Sequence, residues 1–143
     1  MKRLAILILL GCGAAAAAQT GDNWWDRFRA TVHNHLGRPY VWGAAGVKSY
    51  DCSGFVWRVY QEAGAPFKRT TARKLFFSLN DTPKGKEWDF GNVVFFDDLK
   101  HCGIVNSRGD FYHAETSKGT TLSRFEPYWR SKVYGVRRVA VFQ

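Results

Sequence analysis

The tetrapeptide Asp51-Cys52-Ser53-Gly54 sets a cysteine at the start of a predicted helix, and two histidines, His101 and His113, follow on predicted strands. These are the parts of a thiol hydrolase. The thiolate is the nucleophilic form of cysteine, and a helix N-terminus beside an imidazolium lowers the thiol pKa from about 8.5 to where thiolate exists at neutral pH. Cys52 is therefore the candidate nucleophile, His101 the candidate base, and His113 the group that orients the base.

Taken singly, each residue has an ordinary reading. Free cysteine is commonly buried and inert, and a lone strand histidine is usually structural. Their combination gives them weight. Zinc would draw on the same residue types, but no C-x-x-C or H-E-x-x-H occurs, and adjacent His101 and Cys102 cannot both face one metal from a regular strand. Neither a metal nor a cofactor is expected. A serine mechanism through Ser49 or Ser53 lacks a nucleophile-elbow motif. Cys102, one step from His101, should point to the opposite face and lie in the core. A Cys52 to Cys102 disulfide would silence the nucleophile, so free thiols are expected.

The elements that must position these groups follow from periodicity. Trp24, Phe28, Val32 and Leu36 recur every four residues after Asp22 and Asn23, predicting a helix over 24–36 that Gly37 stops. His33 and His35 lie off that stripe and are expected to face solvent. Arg38 to Gly43 should be extended, because the residue before Pro39 is pushed out of the helical region. A second helix is predicted over 52–63, capped by Asp51, with Phe55, Val56, Val59 and Tyr60 inward and Gly64 at its end. A third is predicted over 71–79, and Asn80 to Gly85 should turn. Short β runs then cover 93–96, 101–105, 110–114, 120–124 and 134–142. Helices first and sheet second give an α+β domain, N-terminal helices packed on a C-terminal antiparallel sheet of five to six strands. His101 and His113 share a face only if the register of their strands has the right parity. Direct opposition of the two leaves a three-residue loop, Asn106 to Arg108, and other loop lengths are expected to separate the rings.

A chain of 143 residues, 45% hydrophobic and 16% aromatic, suits one compact domain. Met1-Lys2-Arg3, the apolar run Leu4 to Leu10 and the alanines after it have the three regions of a secretory signal peptide, with residues 1–18 removed and 19–143 forming the domain. Leu9-Leu10-Gly11-Cys12 also resembles a lipobox, so membrane contact is expected only if Cys12 is lipidated. The destination is then the periplasm, the cell envelope or the exterior. The net charge of +9 falls to about +7 without Lys2 and Arg3. A basic exported domain meets an anionic envelope. Nucleic acid is not expected as a partner, since the basic residues are scattered. A monomer is expected.

Beyond the residue chemistry, the chain resembles the NlpC family of papain-like cysteine peptidases, the cell-wall endopeptidases. The resemblance rests on Leu36-Gly37-Arg38-Pro39-Tyr40-Val41-Trp42-Gly43, Asp51-Cys52-Ser53-Gly54-Phe55-Val56, Arg69-Thr70-Thr71, Gly91-Asn92-Val93-Val94-Phe95-Phe96, His101-Cys102-Gly103-Ile104-Val105, His113-Ala114 and Tyr134 to Arg138, in that order. It implies a papain-like fold and a Cys52, His101, His113 site. The implied substrate is the amide between the γ-carboxyl of D-glutamate and diaminopimelate or lysine in peptidoglycan stem peptides. By the same resemblance Tyr40 would line the site and donate to the oxyanion, while Asp51 and Ser53 would face the amino end of the stem peptide. Ala44, Asn92, Cys102 and Lys74 depart from the family's usual residues without removing a catalytic group. An amidase or acyltransferase on the same fold, and a wall-binding module without turnover, are the alternatives.

Overall fold

The computed structural model describes residues 23–141. The signal peptide and lipobox readings fall outside the described residues. Three α-helices come first: α1 (Trp24–Asn34), α2 (Cys52–Glu62) and α3 (Ala72–Ser78). Six strands follow, β1 (Asn80–Asp81), β2 (Val93–Phe96), β3 (His101–Val105), β4 (Asp110–Glu115), β5 (Gly119–Arg124) and β6 (Val133–Arg138), forming one antiparallel sheet in the order β1-β6-β2-β3-β4-β5. A helical turn over 125–132 connects β5 to β6.

Each helix begins where a side-chain oxygen satisfies an orphan backbone N–H. Asn23 accepts from Trp25 N at 3.0 Å, Asp51 from Gly54 N at 2.6 Å, and Thr71 from Lys74 N at 3.4 Å. Helix α1 buries Phe28 and Val32 fully, while α2 buries Phe55, Val56, Val59 and Tyr60. The helices cover one face of the sheet, where Val93, Phe95, Cys102, Ile104 and Tyr112 join their core. On the other face Val94, Phe96, Val105, Phe111 and Phe125 form a second cluster under the 125–136 stretch. Coverage on both faces explains why Val93-Val94-Phe95-Phe96 is apolar throughout rather than alternating.

Several expectations are corrected. His35 does not face solvent: it is 6% exposed, accepting or donating at both ring nitrogens with Glu62 Oε2 (2.7 Å) and the Tyr50 hydroxyl (2.6 Å). His33 is exposed but its Nε2 meets the Tyr112 hydroxyl at 2.9 Å. Asn80 and Asp81 pair with Arg138 and Arg137 instead of only turning, and β6 ends at Arg138, well before residue 142. The register of β3 and β4 sets Ile104 opposite Tyr112 and Val105 opposite Phe111. Continued, it puts Gly103 opposite His113, two residues from direct opposition of the histidines. A slip of two preserves the face, so the rings meet although the connection is not the three-residue loop.

Candidate active site

Local geometry brings Cys52 to the sheet by way of the segment before it. Tyr50 N donates to Pro39 O and Val41 N to Tyr50 O, so the Pro39 to Val41 stretch runs beside Tyr50 and sets Tyr40 next to the helix start. Asp51 N donates to Ala44 O at 2.8 Å. Gly54 permits this approach, because a Cβ there would overlap Ala44 O and lie 2.8 Å from Asp51 Oδ1. Cys52 thus occupies the first turn of α2, level with the beginning of β3, with its sulfur 3.9 Å from Lys100 O.

Two residues of β3 act on the sulfur from opposite faces of the strand: Cys102, fully buried in the helix-side core, and His101, which borders one cleft with Cys52. The Cys102 contact, then His101, outweigh the opposing effect of burial and lower the Cys52 pKa to about 5. Cys102 itself is pushed well above the ordinary thiol value by that contact and by burial, so it remains a protonated donor. Both cysteines are free thiols. The core position expected for Cys102 is observed; its contact with the Cys52 sulfur is additional, and nothing in residue spacing signalled it.

His101 Nε2 lies 2.8 Å from His113 Nδ1. Gly103, opposite His113, lets β4 lie close: a Cβ there would sit 2.5 Å from Tyr112 O, 2.9 Å from the Phe111 ring and 3.1 Å from His113 Cβ. His113 is fully buried, and its Nε2 meets Ser123 Oγ at 2.7 Å. Burial first, then the neighbouring His101 and Lys118 charges, lower its pKa to about 3, keeping it neutral. The Trp129 indole stacks on His101 with centroids 5.2 Å apart and meets His113 edge-on at 5.0 Å. Trp129 belongs to the helical turn between β5 and β6, which carried no periodic signal, so sequence reasoning missed it along with Ser123.

Clefts flank the sulfur on both sides. One of about 640 Å³ is bordered by Tyr40, Asp51, Ser53, Arg69, Arg73 and Lys100. Another, about 440 Å³, adjoins His101, Glu115, Thr116 and Trp129. Tyr40, Cys52 and Lys100 border both. Burial, with the Cys52 and Asp51 charges, raises the Tyr40 pKa, leaving a phenol able to donate. Trp42, 87% exposed, stands at the rim of the larger cleft. A separate cavity of about 600 Å³ beside Trp25, Tyr60 and Val139 holds no nucleophile.

Asp51 and Ser53 do line the larger cleft, yet their polar atoms are engaged within the fold. The Asp51 carboxylate accepts from Gly43 N and Gly54 N and pairs with Arg69 Nη2 at 3.0 and 3.1 Å. Ser53 Oγ accepts from Arg69 Nη1 at 2.9 Å. Arg69 compensates the carboxylate nearest the thiolate, a role hidden in the short basic run Lys68-Arg69. Among the described residues no group of three or more His, Cys, Asp or Glu side chains is arranged to hold a metal ion, and no helix is long and apolar enough to cross a membrane.

Known proteins are similar to this chain in sequence and in fold. The chain is 32% identical over 114 residues to the gamma-DL-glutamyl hydrolase of Bacillus subtilis, an alignment covering 75% of this chain and 27% of that protein. It is 32% identical over 119 residues to a probable endopeptidase NlpC homolog of Haemophilus influenzae, covering 80% and 63% respectively. It thus spans less than two thirds of either relative. A crystal structure of a lipoprotein-like NLP/P60 family protein from Staphylococcus aureus superposes with a TM-score of 0.73 at 27% identity, over 85% of this chain and 43% of that one. The papain-like architecture expected of the sequence is therefore the observed one. With the NlpC/P60 family model matching residues 37–138, across the thiol, both histidines and the strands that carry them, this chain belongs to the NlpC/P60 family.

Proposed function

We propose that the chain is an exported peptidoglycan hydrolase, a cysteine endopeptidase that cleaves the amide between the γ-carboxyl of D-glutamate and diaminopimelate or lysine in stem peptides. The observation that carries this reading is a cysteine in the first turn of α2 that shares one cleft with the His101 imidazole, whose Nε2 is held at 2.8 Å by a second histidine, an environment that lowers the thiol pKa to about 5. The names of the relatives, a gamma-DL-glutamyl hydrolase and an endopeptidase, support the same reaction class.

In the proposed mechanism the Cys52 thiolate attacks the amide carbonyl. The tetrahedral oxyanion forms at the α2 N-terminus, where the Cys52 backbone N–H and the Tyr40 hydroxyl donate to it. His101, protonated in the thiolate pair, gives its proton to the departing amine, and the C–N bond breaks to leave a Cys52 acyl-enzyme. His101 then takes a proton from water, whose oxygen attacks the thioester and releases the carboxylate product and the thiolate. The substrate would lie across the sulfur, its acyl half in the larger cleft and its leaving amine toward His101. The amino end of the stem peptide would approach Asp51 and Ser53.

Mass spectrometry of defined muropeptides after digestion tests this reading. Wild-type protein should release fragments split at the γ-glutamyl bond, and Cys52→Ala should release none. Fragment release by Cys52→Ala at the wild-type rate would refute the mechanism. Mass spectrometry of the mature N-terminus would show Gln19 for a soluble exported protein or a lipidated Cys12 for an anchored one.

A further inference from the structure

A neutral imidazole carries one N–H, and which nitrogen bears it decides whether the ring donates to a neighbour or accepts from it. His113 is fully buried with both nitrogens engaged: Nδ1 toward His101 Nε2 at 2.8 Å, Nε2 toward Ser123 Oγ at 2.7 Å. His101 acts as base toward Cys52 only through its remaining nitrogen, Nδ1, and only if its own Nε2 keeps its hydrogen. That hydrogen needs an acceptor. His113 Nδ1 must therefore hold a lone pair, and the His113 hydrogen must lie on Nε2. In the opposite tautomer His113 donates to His101 Nε2, His101 Nδ1 keeps a hydrogen, and no lone pair faces the thiol.

We infer that Ser123 and Glu115 fix the tautomer of His113, and through it the basic nitrogen of His101. This rests on the proposed Cys52 and His101 chemistry. Ser123 lies opposite Phe111 in the β4 and β5 pairing, and Thr121 opposite His113, so Ser123 is the diagonal neighbour of His113 on one face. Its hydroxyl can accept from Nε2–H or donate to a bare Nε2, so alone it permits either tautomer. Glu115 breaks the tie. Its Oε2 is a buried atom without a hydrogen-bond partner among the described residues, 3.7 Å from His113 Nε2. A carboxylate at that distance favours a hydrogen on the facing nitrogen and disfavours a lone pair there. Lys118 Nζ, also 3.7 Å from Oε2, pairs with the carboxylate from its exposed side. Ser123 and Glu115 are positioning residues: both line a cleft of about 420 Å³ with Leu122 and Tyr128, and Glu115 also borders the cleft of about 440 Å³ beside the sulfur.

The test reads the ring directly. Nitrogen-15 NMR of histidine-labelled protein should show His113 protonated on Nε2 with an unprotonated Nδ1. Ser123→Ala combined with Glu115→Gln should populate both tautomers, raise the pH midpoint for iodoacetamide alkylation of Cys52, and lower kcat about tenfold with KM unchanged. Ser123→Thr, which keeps the hydroxyl, should behave as wild type, with thermal melting confirming that each variant folds. A double variant whose tautomer and alkylation midpoint do not move would overturn the inference alone, whereas a wild-type His113 protonated on Nδ1 would overturn it together with the role of His101 as base. A midpoint indifferent to His101→Ala would overturn the catalytic reading and this inference with it.

Discussion

The ionisation of Cys52 is a contest between burial, which favours the neutral thiol, and two donors that favour the anion. The Cys102 thiol and the His101 imidazole win, and the thiolate persists down to a pH of about 5. Because the pKa of an acid is lowered, the reactive form is present above that value and lost as pH falls through it. Alkylation of Cys52 in the folded protein should accordingly stay fast from neutral pH to near 5, then decline. His101→Ala removes a hydrogen bond and a positive charge, so its midpoint should move upward, toward the ordinary thiol value; an unchanged midpoint would show that His101 does not support the thiolate. The residue types announced this centre in the sequence, since a cysteine before Ser-Gly at a capped helix start and two strand histidines have few other uses together. The surroundings were not announced. Arg69 pairing Asp51, Trp129 stacked on His101 and Ser123 behind His113 come from segments distant in sequence, and only the fold brings them to the site.

Helices and strands were legible wherever a face is buried, because burial imposes a period. Phe28 and Val32, the α2 stripe and the apolar β2 run all carry that mark. His35 was misread because it caps the end of α1, where the helical period no longer says which way a side chain points. Its contacts with Glu62 and Tyr50 tie α1 to α2 and to the residue before Asp51. The chain between β5 and β6 has no period to read. Backbone contact is the other constraint on elements, and the join between the Ala44 loop and α2 has the least room. Gly54→Ala would drive a Cβ into Ala44 O and against Asp51 Oδ1, displacing the loop that carries Tyr40 or the cap that holds Cys52. Overpacking of this kind costs about 1–3 kcal/mol, so the variant should melt several degrees lower than wild type. It should also lose activity beyond what its folded fraction explains. A melting curve superposable on wild type would show that the loop and helix can separate without penalty.

At the scale of the whole molecule, charge and shape act on different parts of the encounter. The chain carries 21 Lys and Arg against 12 Asp and Glu, and at the larger cleft the one carboxylate, Asp51, is already matched by Arg69 while Arg73 and Lys100 remain exposed around it. A field summed over so many cations reaches an extended anionic wall polymer through solvent, whereas a small stem peptide seated in the cleft responds mainly to the contacts it makes there. Salt separates the two, because the screening length shrinks from about 30 Å at 0.01 M to about 8 Å at 0.15 M. Raising ionic strength across that range should weaken binding of Cys52→Ala protein to isolated wall sacculi roughly tenfold, while wild-type turnover of a short soluble muropeptide changes less than about twofold. Co-sedimentation and chromatographic rate measurements at matched salt concentrations provide the comparison. Equal losses in both assays would place the decisive charge contacts inside the cleft, at Arg73 and Lys100, rather than across the surface that meets the wall.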